Sequence, residues 1–346
     1  MHADRKLSHL RICLEEDVQF EHIRAGFEEY HFVHQAVPNV NLDDVNLATT
    51  LFGKLLRSPL IVSSMTGGTP EARQINRNLA AAAQRMGVAM ALGSQRAALE
   101  DPSLISTFQV RDLAPDILLL ANLGAVQLNY GYGPRECATA VEMLEADALI
   151  LHLNPLQEAL QPGGDTNFAG LLPKIERVCR ELSVPVVAKE VGWGLSREAA
   201  RQLKEAGVAA LDTGGSGGTN WAAVEAHRNE NTTLRMAAQA FAQWGIPTAE
   251  SIIACREAAP DLPLIGSGGI RTGLDAAKAI ALGADLAGLA WPLLRPATIS
   301  PEAVEDALQQ LIQELRIAAF CTGAASLREL REGKPVYRPS FRASVV

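Results

Sequence analysis

Eight short apolar runs recur along the chain, all but one followed by an amphipathic helical pattern, and this alternation confines it to an α/β architecture. The runs are Leu60–Ser64, Val88–Leu92, Ile117–Asn122, Ala148–Leu153, Val186–Lys189, Ala209–Thr213, Leu264–Ser267 and Leu286–Ala290. Each is apolar throughout and bounded by turn residues, as strands covered on both faces are. Helical patterns lie between them at Glu71–Met86, Arg135–Leu144, Phe168–Leu182, Arg197–Ala206, Ala249–Ala258 and Gly273–Leu282, with a last helix at Pro301–Phe320. Ser196 and Thr248 read as N-caps, and Gly207 and Gly283 as helix-ending glycines. Eight strands with eight crossovers predict a closed (β/α)8 TIM barrel. A doubly wound open sheet is the alternative, but the regular spacing favours closure. The barrel is expected over residues 56–325, after an N-terminal extension (1–55) and before a C-terminal tail (326–346).

Composition narrows the class. Hydrophobic residues make up 48% and charged residues 20% of 346 positions, enough apolar material for a large core. A net charge of −8 argues against a broad nucleic-acid or anionic-membrane surface, though not against a small basic pocket. The opening MHADRKLSHLRICLEED has charges throughout and no apolar core of a secretory signal, and no run approaches a membrane span. Cys13, Cys137, Cys179, Cys255 and Cys321 are scattered without a CxxC pair. They support neither a disulfide framework nor a zinc site, and a cytoplasmic protein is expected.

Chemistry gathers where the predicted strands end. The first strand runs into SSMTGG, the second into GSQR, the third into NLG, the fifth into KE, the sixth into TGGSGGT and the seventh into GSGGIR. In a barrel these ends form one face, the face that carries active sites. The fourth strand ends in HLNPLQEALQPGGDTNF (152–168), with a Pro/Gly-rich loop and a return to helix near Asn167. Gln157 offers an amide for orientation, and Glu158 a carboxylate for a hard cation such as Mg2+. GSGGIRTG places glycines between a strand and a helix, where backbone N–H groups can approach a phosphate. Lys189, the cation in the VPVVAK strand, suits either a Schiff base or a charge beside an anionic cofactor. The connection from Gly214 to Pro247 is far longer than an ordinary βα loop. Arg5, Lys6 and His9 become anion donors if the N-terminal arm folds over the barrel mouth. The basic, Pro-interrupted tail reads as surface or subunit-contact material.

These segments together resemble the type 2, FMN-dependent isopentenyl-diphosphate isomerases. The matching pieces are RKxxH at 5–9, SSMTGG, GSQR, ANLGA at 121–125, HLNPLQE, KEVG at 189–192, GGTNW at 217–221 and SGGIR. They span nearly the whole chain, and HLNPLQE with RKxxH is the most specific combination. The resemblance implies conversion of isopentenyl diphosphate to dimethylallyl diphosphate in isoprenoid biosynthesis. Reduced FMN would be the acid–base group, Mg2+ would hold the diphosphate, and NADPH would reduce the flavin. It implies flavin contacts for Met65, Thr66, Gly67, Ser94, Asn122, Lys189 and Thr219, and FMN-phosphate contacts for Gly268, Gly269, Leu289 and Ala290. The substrate would meet Arg5, Lys6, His9, Ser94, Gln95, Arg96, His152 and Gln157, with His152 and Gln157 at the catalytic positions and Glu158 on the metal; Arg5, Lys6, His9, Arg96 and His152 would fix the diphosphate by charge-assisted bonds. Gln157 would orient rather than exchange protons. Homotetramers or homo-octamers are implied, without nucleic-acid or membrane partners.

Three other readings compete. An FMN-dependent 2-hydroxy-acid oxidase would share the barrel, but it needs a histidine base near the sixth strand end, and the next histidine there is His227. A barrel like inosine-monophosphate dehydrogenase needs a catalytic-loop cysteine, absent between Cys179 and Cys255. A non-catalytic flavin-binding protein would have no use for HLNPLQE or RKxxH.

Overall fold

Side chains alternate across a strand, so a barrel strand sends every second residue into the barrel. The computed structural model describes residues 2–333 and 336–337, and in it all eight expected strands form. They are β1 (Leu60–Val62), β2 (Ala89–Ala91), β3 (Leu119–Gly124), β4 (Ala148–Leu153), β5 (Val186–Glu190), β6 (Ala210–Asp212), β7 (Leu264–Ser267) and β8 (Leu286–Leu289). All are parallel, and β8 pairs with β1 to close the barrel. The helices are α1 (His2–Glu15), α2 (Pro70–Met86), α3 (Arg96–Glu100), α4 (Pro134–Glu142), α5 (Pro155–Leu160), α6 (Leu171–Glu181), α7 (Arg197–Glu205), α8 (Trp221–Arg228), α9 (Thr232–Ala240), α10 (Thr248–Ala258), α11 (Gly273–Ala281), α12 (Trp291–Ala297), α13 (Pro301–Cys321) and α14 (Leu327–Gly333).

Two shells of apolar side chains hold the barrel. Ile61, Ala91, Leu120, Ile150, Val187, Ile265 and Leu286 fill its interior. Leu51 and Leu56 join that cluster from the hairpin that pairs Thr49–Leu51 with Lys54–Leu56 just before β1. Their neighbours Leu60, Val62, Leu149, Leu151, Val186 and Ala188 face outward under the helices. Each fully buried leucine is worth about 1.5–3 kcal/mol over an exposed one. The same parity, carried one pleat further, turns Asn122, His152, Lys189, Asp212 and Ser267 inward at the carboxyl ends. The register places His152 beside Lys189 and Lys189 beside Asp212.

Ser196 caps α7 by accepting from the Ala199 N–H, and Gly207 and Gly283 follow α7 and α11 with positive φ. Three expectations need correction. Thr248 is the first residue of α10, and Pro247 holds the cap position. The Thr248 hydroxyl donates instead to the Gly268 carbonyl at 2.6 Å, tying α10 to the loop after β7. The helix expected from Phe168 begins at Leu171, because Gly170 takes a left-handed conformation (φ 62°). The stretch after His152 is not a loop throughout, since α5 carries both Gln157 and Glu158. The 214–247 connection folds into α8 and α9.

In the C-terminal region, α14 forms and Val336–Tyr337 pairs antiparallel with His31–Phe32. Residues 334–335 and 338–346 of the basic tail lie outside the described residues. No helix among the described residues is long and apolar enough to cross a membrane.

Candidate active site

The inward residues at the strand ends form the floor of a cavity of about 290 Å3, roofed by α1 and walled by α5 and α8. Arg5, Lys6, His9, Leu10 and Cys13 reach it from α1, so the N-terminal arm lies across the barrel mouth. Lys6 donates to the Ser94 carbonyl at 2.7 Å and stands 4.8 Å from the Phe108 ring centroid. Burial, with Arg5 nearby, pushes Lys6 down to about 7. Arg96 is bound to Glu100 and Asp165.

On the floor, Lys189 bridges Asp212 (3.0 Å) and Ser267 (3.1 Å), and Ser267 itself donates to Asp212. The lysine is buried and ion-paired rather than extended to solvent. His152 Nδ1 lies 2.8 Å from Asn122 Oδ1, and the Asn122 amide nitrogen donates to Ser64. The asparagine oxygen therefore accepts from Nδ1–H, which leaves His152 Nε2 as an acceptor. Burial, with Lys189 and Lys6 nearby, pushes His152 down to about 4. This imidazole is neutral near pH 7, so it does not carry the charge expected for gripping a diphosphate.

The HLNPLQE segment builds a carboxylate site through α5. Glu158 Oε1 accepts from Asn154 (3.0 Å), and Oε2 accepts from Gln161 and from the Asp165 N–H (2.7 Å). Asn154 Oδ1 is buried beside it with no partner among the described residues. Gln157 donates to Glu225 at 3.2 Å.

Glu225, on α8, escaped the sequence reading. It is fully buried and is shared by Gln157, His9 (2.9 Å) and Arg228 (2.6 Å). Burial pushes its carboxyl up, but His9 and then Arg228 and Gln157 more than offset this and hold it below the usual range. His9 also packs edge-on against Trp221 at 5.3 Å. No motif marks Glu225; the only signal was that the 214–247 connection is too long to be idle.

Most expected site residues line the cavity, including Met65, Thr66, Ser94, Arg96, Asn122, Thr219, Gly268, Gly269 and Ala290. Three do not. The Gln95 amide is wholly buried, donating to the Gly93 carbonyl and accepting from the Asn122 N–H, so it braces β2 against β3. Gly67 packs on Phe108, where a Cβ would strike the ring. Leu289 is buried away from the cavity.

Several glycines keep the floor open. A Cβ on Gly218 would lie 2.6 Å from the Gly269 nitrogen, and one on Gly288 would lie 2.7 Å from both Ser267 Cβ and Ser63 Oγ. Gly268 (φ 109°) and Gly269 (φ 69°) adopt backbone conformations that side chains rarely allow. Their N–H groups donate to nothing among the described residues, and the buried Ser63 hydroxyl is likewise unpartnered there. Among the described residues no three His, Cys, Asp or Glu side chains cluster as a metal cage.

A family model for FMN-dependent dehydrogenases matches residues 3–103 and 169–335. An isopentenyl-diphosphate delta-isomerase of Nostoc sp. is 54% identical over 334 residues, covering 96% of this chain and 95% of that one. One from Rickettsia bellii is 50% identical over 330 residues, covering 95% and 96%. Among solved structures, a flavocytochrome b2 double mutant with sulfite bound aligns with a TM-score of 0.69 at 18% identity, over 98% of this chain and 84% of that chain. A mandelate oxidase variant aligns at 0.66 and 16% identity, over 98% of each. At such identities the structural likeness speaks to the barrel alone.

Proposed function

The chain belongs to the FMN-dependent dehydrogenase family and, within it, to the type 2 isopentenyl-diphosphate delta-isomerases; from that premise we propose how its cavity isomerises isopentenyl diphosphate to dimethylallyl diphosphate in isoprenoid biosynthesis. The observation that carries the reading is the meeting of two sequence-distant parts over one cavity. Arg5, Lys6 and His9 come from α1, while His152, Gln157 and Glu158 come from β4 and α5. The second group falls in the 104–168 span that the general family model leaves unmatched, although the isomerases align with almost the whole chain.

FMN fits the floor. The side-chain-free approach at Gly218, Gly268 and Gly269, with uncommitted N–H groups, suits its phosphate together with the Ala290 backbone. Lys189, Ser94, Asn122, Thr66 and Thr219 surround the remaining space for the ring, with Ser63 contributing an uncommitted hydroxyl. When bound in its reduced form, FMN supplies the acid–base chemistry beside the alkene. Glu158 would hold Mg2+, with the unpartnered Asn154 amide oxygen as a further hard donor, and the ion would supply positive charge for the diphosphate.

The protein's own residues then have separable tasks. Arg5, Lys6 and Arg96 attract and orient the diphosphate by charge-assisted bonds. Gln157, steadied by Glu225, holds the hydrocarbon end in place. The terminal carbon must gain a proton and the carbon next to the oxygen-bearing one must lose a proton. Cationic character develops between these events, so α1 and Trp221 serve by keeping water out. His152 Nε2 accepts a hydrogen bond and stays neutral. A homotetramer or homo-octamer and reduction of the flavin by NADPH complete the proposal; sedimentation and anaerobic NADPH oxidation would check them.

Anaerobic turnover of isopentenyl diphosphate by FMN-loaded protein with dithionite and Mg2+ tests the core of this reading. Dimethylallyl diphosphate should form only with both present. Glu158→Gln should lose at least 100-fold in Mg2+-dependent turnover while retaining FMN; full activity would remove the metal from Glu158. Oxidation of a 2-hydroxy acid instead would favour the oxidase reading. The exposure of His227, outside the cavity, counts against that outcome.

A further inference from the structure

Thr248, the first residue of α10, is wholly buried and stands outside the lining of the catalytic cavity. Two backbone bonds fix the helix start that carries it. The Thr248 N–H donates to the Ser216 carbonyl at 3.3 Å, and the Ala249 N–H to the Ala25 carbonyl at 2.9 Å. The Thr248 hydroxyl has one proton and three carbonyls within reach. Gly268 is nearest at 2.6 Å, against 3.2 Å for Ser216 and 3.4 Å for Ser267. Among the described residues this is the sole hydrogen bond to the backbone of Gly268 or Gly269. Both glycines lie between the end of β7 and the start of α11, so neither a ladder nor a helix holds them.

The Gly268–Gly269 peptide is trans, so its C=O and its N–H point in opposite directions. Anchoring the carbonyl on α10 therefore turns the Gly269 N–H away from α10. Gly269 lines the catalytic cavity, and its nitrogen lies 2.6 Å from where a Cβ on Gly218, another lining residue, would stand. The N–H thus meets open space at the edge of the floor. On the reading of that floor as an FMN site, we propose that Thr248 is a positioning residue for the flavin phosphate. It aims the Gly269 N–H without touching the ligand, and so sets the preference for FMN over riboflavin.

Glycine is what makes the contribution of the hydroxyl large. Gly268 (φ 109°) and Gly269 (φ 69°) populate both halves of φ space with ease, so an unanchored peptide between them is free to turn over. A turned peptide presents its carbonyl oxygen to the phosphate, which replaces a donor by a repelling acceptor. The groups placed around the flavin ring rely on other bonds. Asn122 is held by Ser64 and His152, and Lys189 by Asp212 and Ser267. Loss of the Thr248 hydroxyl therefore acts on the phosphate and spares the ring.

The test is fluorescence titration of full-length apoprotein with FMN and with riboflavin, which has the same ring and ribityl chain but no phosphate. Thr248→Val keeps the shape and removes the donor, and should weaken FMN about tenfold while leaving riboflavin unchanged. Thr248→Ala, which puts no methyl against the Gly268 carbonyl, should show the same selective loss. Thr248→Ser retains the hydroxyl and should retain the wild-type preference. Equal affinity of the wild type for the two flavins would remove the phosphate reading itself, and this proposal with it. A wild type that prefers FMN, with valine and alanine variants that weaken both flavins alike or neither, would overturn the role of Thr248 alone. So would a serine variant that loses the preference.

Discussion

At His152, burial in the barrel mouth outweighs the ordinary basicity of an imidazole and pushes the ring down to about 4. An unfolded histidine titrates near 6.5, so between roughly pH 4 and 6.5 the unfolded chain binds more protons than the folded one. Stability therefore falls as pH drops through that window, by up to about 3 kcal/mol before solvent screening. Denaturant melts from pH 4 to 7 should show the slope, and His152→Gln should flatten it. Lys6 titrates in a different range. Its buried ammonium, crowded by Arg5, titrates near 7, so the cation is present below that pH and lost above it. Accordingly kcat/KM for the diphosphate should decline as pH rises from 7 to 9. Lys6→Arg should remove much of the decline, because a guanidinium stays charged; an unchanged profile would dismiss Lys6 as its source.

The decisive element is α8, the helix that turns an overlong connection into the far wall of the site. Its buried Glu225 receives bonds from His9 on α1 and Gln157 on α5, so one carboxylate sets the arm and the Gln157 amide together. A hydrogen bond to a charged group is worth about 1.5–3 kcal/mol, or roughly 10–100-fold in binding. Glu225→Gln should raise KM for isopentenyl diphosphate within that range and leave FMN content unchanged, as steady-state kinetics and flavin absorbance would show. A change in FMN content with KM unaltered would place Glu225 in flavin binding instead.

Across the whole molecule, the barrel has gathered buried polar groups that await partners: the Ser63 hydroxyl, Asn154 Oδ1 and the Gly268 and Gly269 N–H groups. A ligand that satisfies some of them and binds only the folded state must stabilise the fold. At a hundredfold excess over its Kd, FMN adds about 2.7 kcal/mol. For a chain of this length that is a rise in Tm of about 4 °C. Differential scanning calorimetry should find that rise in the wild type. It should be absent at the same FMN concentration in Gly218→Ala, whose Cβ would press on the Gly269 nitrogen.

The sequence alone determined the eight strands, their order and the face on which chemistry collects. Those features follow from local periodicity and from turn residues at each strand end, which need no knowledge of distant contacts. β4 and β7 occur with the very bounds read from the residues. Tertiary structure decided what the polar residues at those ends do. Gln95 sits in a sequence motif beside Ser94 and Arg96, yet its amide is consumed by the backbone of two adjacent strands. Glu225 sits in no motif, yet it holds two parts of the site in place. His152 reads as a cation donor, but low-dielectric burial between two lysines makes it neutral. Each of these outcomes depends on which atoms, tens or hundreds of residues away, share a desolvated space, and the pattern of neighbours along the chain carries no record of that.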